Sequence, residues 1–372
     1  MKKGLTIAAW NLGLLVVALV AVELIFGSWL KAPGLWNLGI YREVEWRFNV
    51  AGRYATDKPD IVYKRDYYGL RGAYGRVEDI DVLVLGGSTT DQRFVDEGRT
   101  WTDALMACRR SQGKTAHIAN AGVAGQTTRG HAANFDVWLA RIPGLKPRTV
   151  VALIGVNENV LDERDANDDV RRYHETATPL STWHNVRMWL RMNSALNRLY
   201  TVVKGNLKAY RAQLHPARDI ATTPGETTAQ AIDRQVGGMA HRRVALESRE
   251  WQARIAQQRQ VMASEIEGLN ARLAALADRI RAFGAQPLFI TQNSAAYRKA
   301  DGEIRGDLES YFRLRVLADA VVAFGQAHNI AVLDLAGDLF MQDGDAYDSV
   351  HTTDRGSRRI GEWVCAHWPD GY

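Results

Sequence analysis

The chain has 372 residues, 46% of them hydrophobic and 24% charged, with nine prolines, which excludes a disordered, collagen-like or low-complexity protein. Forty-seven Lys and Arg against forty-two Asp and Glu leave a formal charge of +5, too small over this length to indicate nucleic acid as a partner. Two cysteines exclude a disulfide-framework scaffold, and no CxxC or Cys/His spacing suggests structural zinc.

The first thirty residues are unlike the rest. From Leu5 to Val22 there is no charge, and beyond Glu23 apolar character resumes through Leu24, Ile25, Phe26, Trp29 and Leu30. A helix through this run is long enough to cross a bilayer. Lys2, Lys3 and the α-amino group precede it, so the positive-inside rule predicts a cytoplasmic N-terminus with the following chain outside. A cleaved signal peptide competes with this reading, against the length of the run and the lack of an A-x-A site; a buried soluble helix is the other alternative. The expectation is a transmembrane anchor over residues 1–30 in a bacterial-type cytoplasmic membrane, with a periplasmic or extracellular domain.

Residues 31–76 are rich in aromatics, Arg and Gly and read as an irregular connector. Residues 77–372 then alternate apolar runs with helical patterns. Asp81-Val-Leu-Val-Leu85 ends at Gly86-Gly87, Thr149-Val-Val-Ala-Leu-Ile154 ends at Gly155, and Pro287–Thr291 and Ile330–Asp334 each follow a helical stretch. Uninterrupted apolar strands between helices call for a parallel sheet covered on both faces, hence an α/β fold. Strand signals stop between Asn159 and Gly284, which predicts a helical insertion at about 160–283. Within it, apolar residues from Trp251 to Phe283 recur at three and four with one gap at Gln258, predicting one long helix. Either its C-terminal half packs on the sheet, or its N-terminal half protrudes as a lid or a contact for a partner. The acidic run Asp162–Asp169 lacks the central Gly and terminal Glu of a calcium loop and reads as solvated surface.

Groups that do chemistry on an open parallel sheet gather past the C-terminal ends of its strands. Past the first lies Gly86-Gly87-Ser88-Thr89-Thr90, where Ser88 would project from a tight turn at a helix start. By itself this is an ordinary N-cap serine, and it lacks the Lys of a phosphate-binding P-loop. Asn120-Ala-Gly-Val-Ala-Gly125 follows another short apolar element, and Gly155-Val-Asn157-Glu158 follows the second clear strand. Near the end, Asp348-Ser-Val-His351 puts a carboxylate three residues before an imidazole, so that Asp348 can orient His351 while His351 takes a serine proton.

In this order the four blocks resemble those of the SGNH, or GDSL-type, hydrolase family, over roughly residues 77–159 and 284–365. The resemblance implies Ser88, in a GGST variant of the GDS block, as nucleophile. It points to Gly125, with Gly122 as the other candidate, as the oxyanion-hole glycine, and to Asn157 as the side-chain donor beside the Ser88 N–H. It makes Asp348 and His351 the rest of a triad. Glu158 stands where the family's GxND block has Asp, and Gly87 where its GDS block has Asp. The implied fold is a flavodoxin-like three-layer sandwich with about five parallel strands, and the implied reaction is ester hydrolysis or acyl transfer through a serine-bound acyl intermediate. No cofactor or metal is called for.

Other residues carry less. The histidines at 117, 131, 174, 184, 215, 241, 328 and 367 have no ligand-like spacing, and Asp343 and Asp345 with Asp348 could imitate a calcium site only if Asp348 were not needed by His351. Cys108 falls on the helix expected after Ser88 and Cys365 on the last helix; they are either paired, if the domain lies outside the cytoplasm, or two buried free thiols. Three functions follow. The first is a membrane-anchored esterase acting on an acylated carbohydrate, a small acyl ester or a lipid. The second is an O-acyltransferase acting on an envelope or exported polysaccharide. The third is a non-catalytic envelope assembly subunit using the anchor and the helix around Trp251–Phe283, which the intact set of Ser88, Asn157, Asp348 and His351 disfavours.

Overall fold

The computed structural model describes residues 2–27, 29, 40–160, 190, 193–197, 199, 200, 203 and 223–372. The acidic run Asp162–Asp169 and His174, His184 and His215 lie outside the described residues. The chain divides into two units, one of residues 1–41 with 170–218, the other of residues 42–169 with 219–372.

The first unit contains α1 (Lys2–Phe26), in which Ala9–Phe26 is long and apolar enough to cross a membrane. Glu23, near its end, accepts hydrogen bonds from the Ser194 hydroxyl (2.6 Å), the Ala195 and Leu196 N–H groups (2.9 and 3.1 Å) and the Trp29 indole (3.0 Å).

The second unit begins with regular structure where the sequence predicts an irregular connector. Within the supposed connector, β1 (Val44–Asn49) and β2 (Asp60–Arg65) form an antiparallel hairpin. β2 alternates, and its inward positions Ile61, Tyr63 and Arg65 are all buried. Then come β3 (Val82–Leu85), α2 (Ser88–Asp91), α3 (Trp101–Ser111), β4 (Ile118–Asn120), α4 (Thr128–Val137) and β5 (Thr149–Ile154). Past 223 follow α5 (Thr228–Gly238), β6 (Arg243–Ala245), α6 (Arg249–Val261), α7 (Ala263–Ala282), β7 (Gln286–Thr291), β8 (Tyr297–Ala300) and β9 (Glu303–Gly306). The chain closes with α8 (Leu308–His328), β10 (Ala331–Leu333), α9 (Leu335–Asp338) and α10 (Asp354–Ala366).

Five strands pair in the order β10-β7-β5-β3-β4, all parallel. Counted along the chain this is 2-1-3-4-5, the flavodoxin-like order, whose topological switch lies between β3 and β5. β3, β5 and all but the first residue of β7 are buried throughout, as a sheet covered on both faces demands. On one face Val82, Val84, Val151, Leu153, Leu288 and Ile290 pack with Trp101 and Leu105 of α3 and Ile360 and Val364 of α10. On the other, α7 and α8 cover β7, with Phe289 stacked on Phe324 of α8. The architecture is thus the expected three-layer α/β sandwich. Cys108 and Cys365 join α3 to α10 by a disulfide, the first of the two alternatives left open above.

Two further expectations need correction. The predicted long helix breaks at Met262 into α6 and α7; Met262 is buried with a bridge-region backbone, and no polar side chain caps the start of α7. Its N-terminal half does not protrude, since Trp251 donates its indole N–H to the Tyr311 hydroxyl (3.0 Å) and Arg254 lies over the Phe312 ring, both on α8. Strand structure also occurs inside the region read as wholly helical. β6 pairs with β9, which pairs with β8, in a small antiparallel sheet. β6 is three residues long with only Val244 buried, too short to show a period of two.

Candidate active site

The loops after β3, β4 and β5 meet around Gly87. Its backbone is extended (φ −84°), so it is not a positive φ that demands glycine here. The demand is contact: a Cβ at Gly87 would lie 2.2 Å from Asn157 Nδ2 and 3.4 Å from the Gln126 carbonyl oxygen. Ser88 follows as the first residue of α2, half-buried, where the N–H groups of Thr90 and Asp91 close the turn on the Gly87 carbonyl.

The loop after α9 brings in the base. His351 Nε2 lies 2.8 Å from Ser88 Oγ, and its Nδ1 lies 2.8 Å from Asp348 Oδ2. Asp348 Oδ1 also accepts the N–H groups of Val350 (2.8 Å) and His351 (2.7 Å), so the three-residue spacing closes a loop on its own carboxylate. Burial pushes the Asp348 carboxyl up, but the hydrogen bond and charge of His351 and the two backbone donors outweigh it, and the net shift is down. Tyr347 stacks on the His351 ring at 5.7 Å between centroids and 7° between planes, fixing the imidazole from one side.

Asn157 sits in a 3-10 turn (Val156–Val160) just past β5 and donates through Nδ2 to the Gln126 carbonyl (2.8 Å). An amide has two N–H donors, so one remains for another acceptor. Gly125 lies one residue before Gln126 at φ +79°. Gly122 is engaged elsewhere: its N–H donates to Asn120 Oδ1 (2.9 Å) and its carbonyl accepts from Arg65. Of the two candidate glycines, Gly122 has its N–H engaged, and Gly125 adjoins Gln126, whose carbonyl Asn157 bonds.

Several residues that hold this arrangement were not identified from sequence. Arg65 and Arg71 are each 2% exposed. Arg65 reaches Asp91 Oδ1 (2.5 Å), the Tyr63 hydroxyl (2.6 Å) and the carbonyls of Gly69 and Gly122. Arg71 donates to the carbonyls of Asp91, Gln92 and Val95, at 2.5, 2.9 and 2.8 Å. The turn carrying Ser88 is thus clamped from behind by the hairpin and the segment after it. Gln92, in a left-handed conformation (φ 48°), donates to Thr352 Oγ1 (2.7 Å) and Ser357 Oγ (2.6 Å) and so joins that turn to the loop of His351. Glu158 accepts from the Thr128 N–H (2.6 Å) at the start of α4 and pairs with Arg272 of α7 (3.0 Å), which also donates to Thr128 Oγ1 (3.1 Å). Alternation along β2 was the one signal available for Arg65, because Arg65 shares the buried face of Ile61 and Tyr63.

Asp343, Asp345 and all but one of the other described histidines go to other partners. Asp343 pairs with Arg298 and Asp345 with Arg355 and Arg359, which leaves Asp348 to His351. His117 bonds the Tyr74 carbonyl, His328 and His367 stack on Phe324 and Trp363, and His241 contacts the Gly238 carbonyl. His131, on α4, is fully buried, and burial pushes it down to about 3.

No protein-family model and no curated protein matches the chain. Among solved structures it is similar to TesA, at 16% identity over 76% of this chain and 94% of that one, with a TM-score of 0.36. It is also similar to a lipolytic G-D-S-L family protein from Veillonella parvula DSM 2008 (12% identity, 78% and 98% coverage, TM-score 0.38) and to the acetyl xylan esterase AlAXEase (10%, 77% and 100%, TM-score 0.39). Similarity at this level leaves the chemistry to be read from the side chains.

Proposed function

We propose that the protein is a serine esterase. One observation carries this reading, the hydrogen-bonded chain from Ser88 Oγ through His351 to the Asp348 carboxylate, 2.8 Å at each link. With Nδ1–H donating to Asp348, neutral His351 presents a lone pair on Nε2 to the Ser88 hydroxyl. Ser88 Oγ attacks the ester carbonyl carbon as its proton passes to His351 Nε2. The carbonyl oxygen becomes an oxyanion, met by the N–H groups of Ser88 and Gly125 and by the second N–H of the Asn157 amide. As the C–O bond to the alcohol breaks, His351 returns the proton to the departing oxygen and leaves an acyl-serine. Water, deprotonated by His351, then releases the acid. The ester is that of an acylated carbohydrate or a small alcohol, and the half-buried Ser88 is accessible to either. Transfer to a sugar hydroxyl of an envelope or exported polysaccharide would use the same groups with a different second nucleophile, so products are to be compared with and without such an acceptor.

The apolar helix α1 is read as a single-pass anchor with the catalytic unit on the outer face of a cytoplasmic membrane. The Cys108–Cys365 disulfide suits that oxidising side. A pure assembly subunit would have no need of an activated serine. Ser88→Ala in the full chain should abolish turnover of p-nitrophenyl acetate and labelling by a fluorophosphonate probe. Unchanged turnover or labelling overturns the assignment.

A further inference from the structure

The hairpin reaches the front of the site as well as the back of the Ser88 turn. The inward positions Trp46 and Phe48 of β1 are half-buried, and a train of ring contacts runs from them to His351. Ring centroids are 6.3 Å apart from Trp46 to Phe48, 5.1 Å from Phe48 to Phe94, 6.3 Å from Phe94 to Tyr347 and 5.7 Å from Tyr347 to His351. All of these rings except Tyr347 keep some surface open to solvent, so an apolar strip ends at the Ser88–His351 pair.

The loop between β1 and β2 lays a cation on this strip. The Arg53 N–H donates to the Val50 carbonyl (2.7 Å), and the Arg53 carbonyl accepts from the Ala229 N–H (2.8 Å) and the Thr228 hydroxyl (3.0 Å), which pins the loop to the start of α5. The half-buried Arg53 guanidinium lies 3.8 Å from the centre of the Phe94 ring and 5.6 Å from that of Tyr347. Neighbouring cations are committed to carboxylates: Lys58 of the same loop to Asp96, Arg65 to Asp91, and Arg99 to Asp57 and Asp354. Among the described residues, no carboxylate or carbonyl accepts a hydrogen bond from the Arg53 guanidinium. Stacking takes some of its water away and gives it no acceptor, while its five N–H donors stay in a fixed fork. That fork matches the paired oxygens of a carboxylate or phosphate. Covering Phe94 alone would need only an aliphatic stem, with no charge at its end.

We propose that Arg53 binds an oxyacid anion, a carboxylate or a phosphate, carried by the substrate beside its ester, while the aromatic strip supports the uncharged part of the same molecule. This names the substrate class of the Ser88 reaction and rests on that reading.

The test uses the full chain in detergent micelles and two matched pairs of esters, followed by acetate release. One pair is acetylated oligogalacturonide and the same saccharide with its carboxyls methylated; the other is acetylglycerol phosphate and acetylglycerol. In at least one pair the anionic member should have the higher kcat/KM, by about 10- to 100-fold, the range expected of hydrogen bonds to a charged group. The pair that shows it tells carboxylate from phosphate. The preference should lie in KM, shrink in about 0.5 M NaCl and vanish in Arg53→Met. Arg53→Lys, which keeps the charge without the fork, should keep part of it. No preference in either pair overturns the proposal, and that result needs wild-type protein only. A preference undiminished in Arg53→Met overturns it too, as does an Arg53→Met protein that loses both members of a pair equally, the mark of a merely structural stem. Calorimetry on the Ser88→Ala protein, titrated with deacetylated oligogalacturonide and with glycerol phosphate, separates this from the esterase reading. Binding that Arg53→Met weakens, with no ester turned over by wild type, overturns the esterase and keeps the anion site. Turnover without preference or such binding overturns the anion site and keeps the esterase.

Discussion

Replacing Arg65 by Met tests how the Ser88 turn is held. Arg65 is 2% exposed, and its guanidinium serves four acceptors at once: Asp91, the Tyr63 hydroxyl and the carbonyls of Gly69 and Gly122. Met keeps most of the stem but removes every donor, leaving the Asp91 carboxylate buried with the Tyr63 hydroxyl at 2.7 Å and Arg93 only at 3.9 Å. Removing one partner of a buried ion pair costs about 3–5 kcal/mol, because the other charge stays behind without compensation. The two orphaned carbonyls push toward the upper end, and relaxation of the hairpin pulls the other way, so about 4 kcal/mol is expected. In a unit of this size that is a drop of roughly 8 °C in Tm. Urea and thermal melts of the full chain in detergent micelles would measure it. The gap between variant and wild type should be the same in low and high salt, since a pair excluded from water is not screened. The double variant Arg65→Met/Asp91→Leu should recover most of the loss, because an apolar pair of similar volume replaces an ion pair at little net cost. A single variant within about 1 kcal/mol of wild type, or a double variant no better than the single, would refute the claim that this pair clamps the turn.

Asn157→Ala should lower kcat/KM for p-nitrophenyl acetate by about 10²–10³ through kcat, the usual cost of one oxyanion donor; an unchanged kcat removes Asn157 from that role. Glu158→Gln and Arg272→Met should each destabilise by about 1–3 kcal/mol and together by scarcely more, because both break the same Arg272–Glu158 ion pair; additive losses in urea melts would count against a shared network. Reducing or deleting the Cys108–Cys365 bond, whose partners are 257 residues apart, should lower unfolding free energy by up to about 5 kcal/mol, and equal melts of oxidised and reduced protein would contradict this. Burial holds His131 at about 3, far below its ordinary value of 6.5, so its contribution is intact above about pH 6.5 and declines as pH falls toward 3, by about 2 kcal/mol at pH 5. His131→Leu should therefore flatten the fall in Tm between pH 7 and pH 5, and an unchanged fall would sink the assignment.

The sheet was legible because its central strands are apolar runs, β3 and β5 each ending at a Gly, and β5 begins and ends at the residues that the run marks. β4, with only three residues, could be placed only as a short apolar element before Asn120. The groups at the strand ends were legible for a different reason. Ser88, Asn157, Asp348 and His351 each lie in a short local pattern, and Asp348 meets His351 through a three-residue spacing that needs no long-range information. What supports them was not legible. Arg65 reaches Asp91 across 26 positions, Gln92 reaches Thr352 across 260, and Arg272 reaches Glu158 across 114. A charged side chain in a segment rich in Arg and Gly reads as surface until its partner is known, so the hairpin reads as a connector. The break at Met262 was hidden as well, since Met262 fits the apolar stripe on both sides of it.

This division bears on what a motif can establish. The proposed attack by Ser88 would need its hydroxyl held to within about half an ångström of the His351 lone pair, and a four-residue helix does not supply that rigidity alone. Here it comes from three directions: Arg65 and Arg71 behind α2, Gln92 sideways to Thr352, and Asn157 against Gly87 in front. The first two are buried polar contacts whose loss leaves an unsatisfied partner, and the third is a close approach that only glycine permits. If the proposed reaction holds, the supporting groups should matter to activity as much as Ser88, His351 and Asp348 do. A chain that keeps Ser88, Asp348 and His351 but loses the hairpin arginines should bind a fluorophosphonate slowly if at all, although its motif would read as complete.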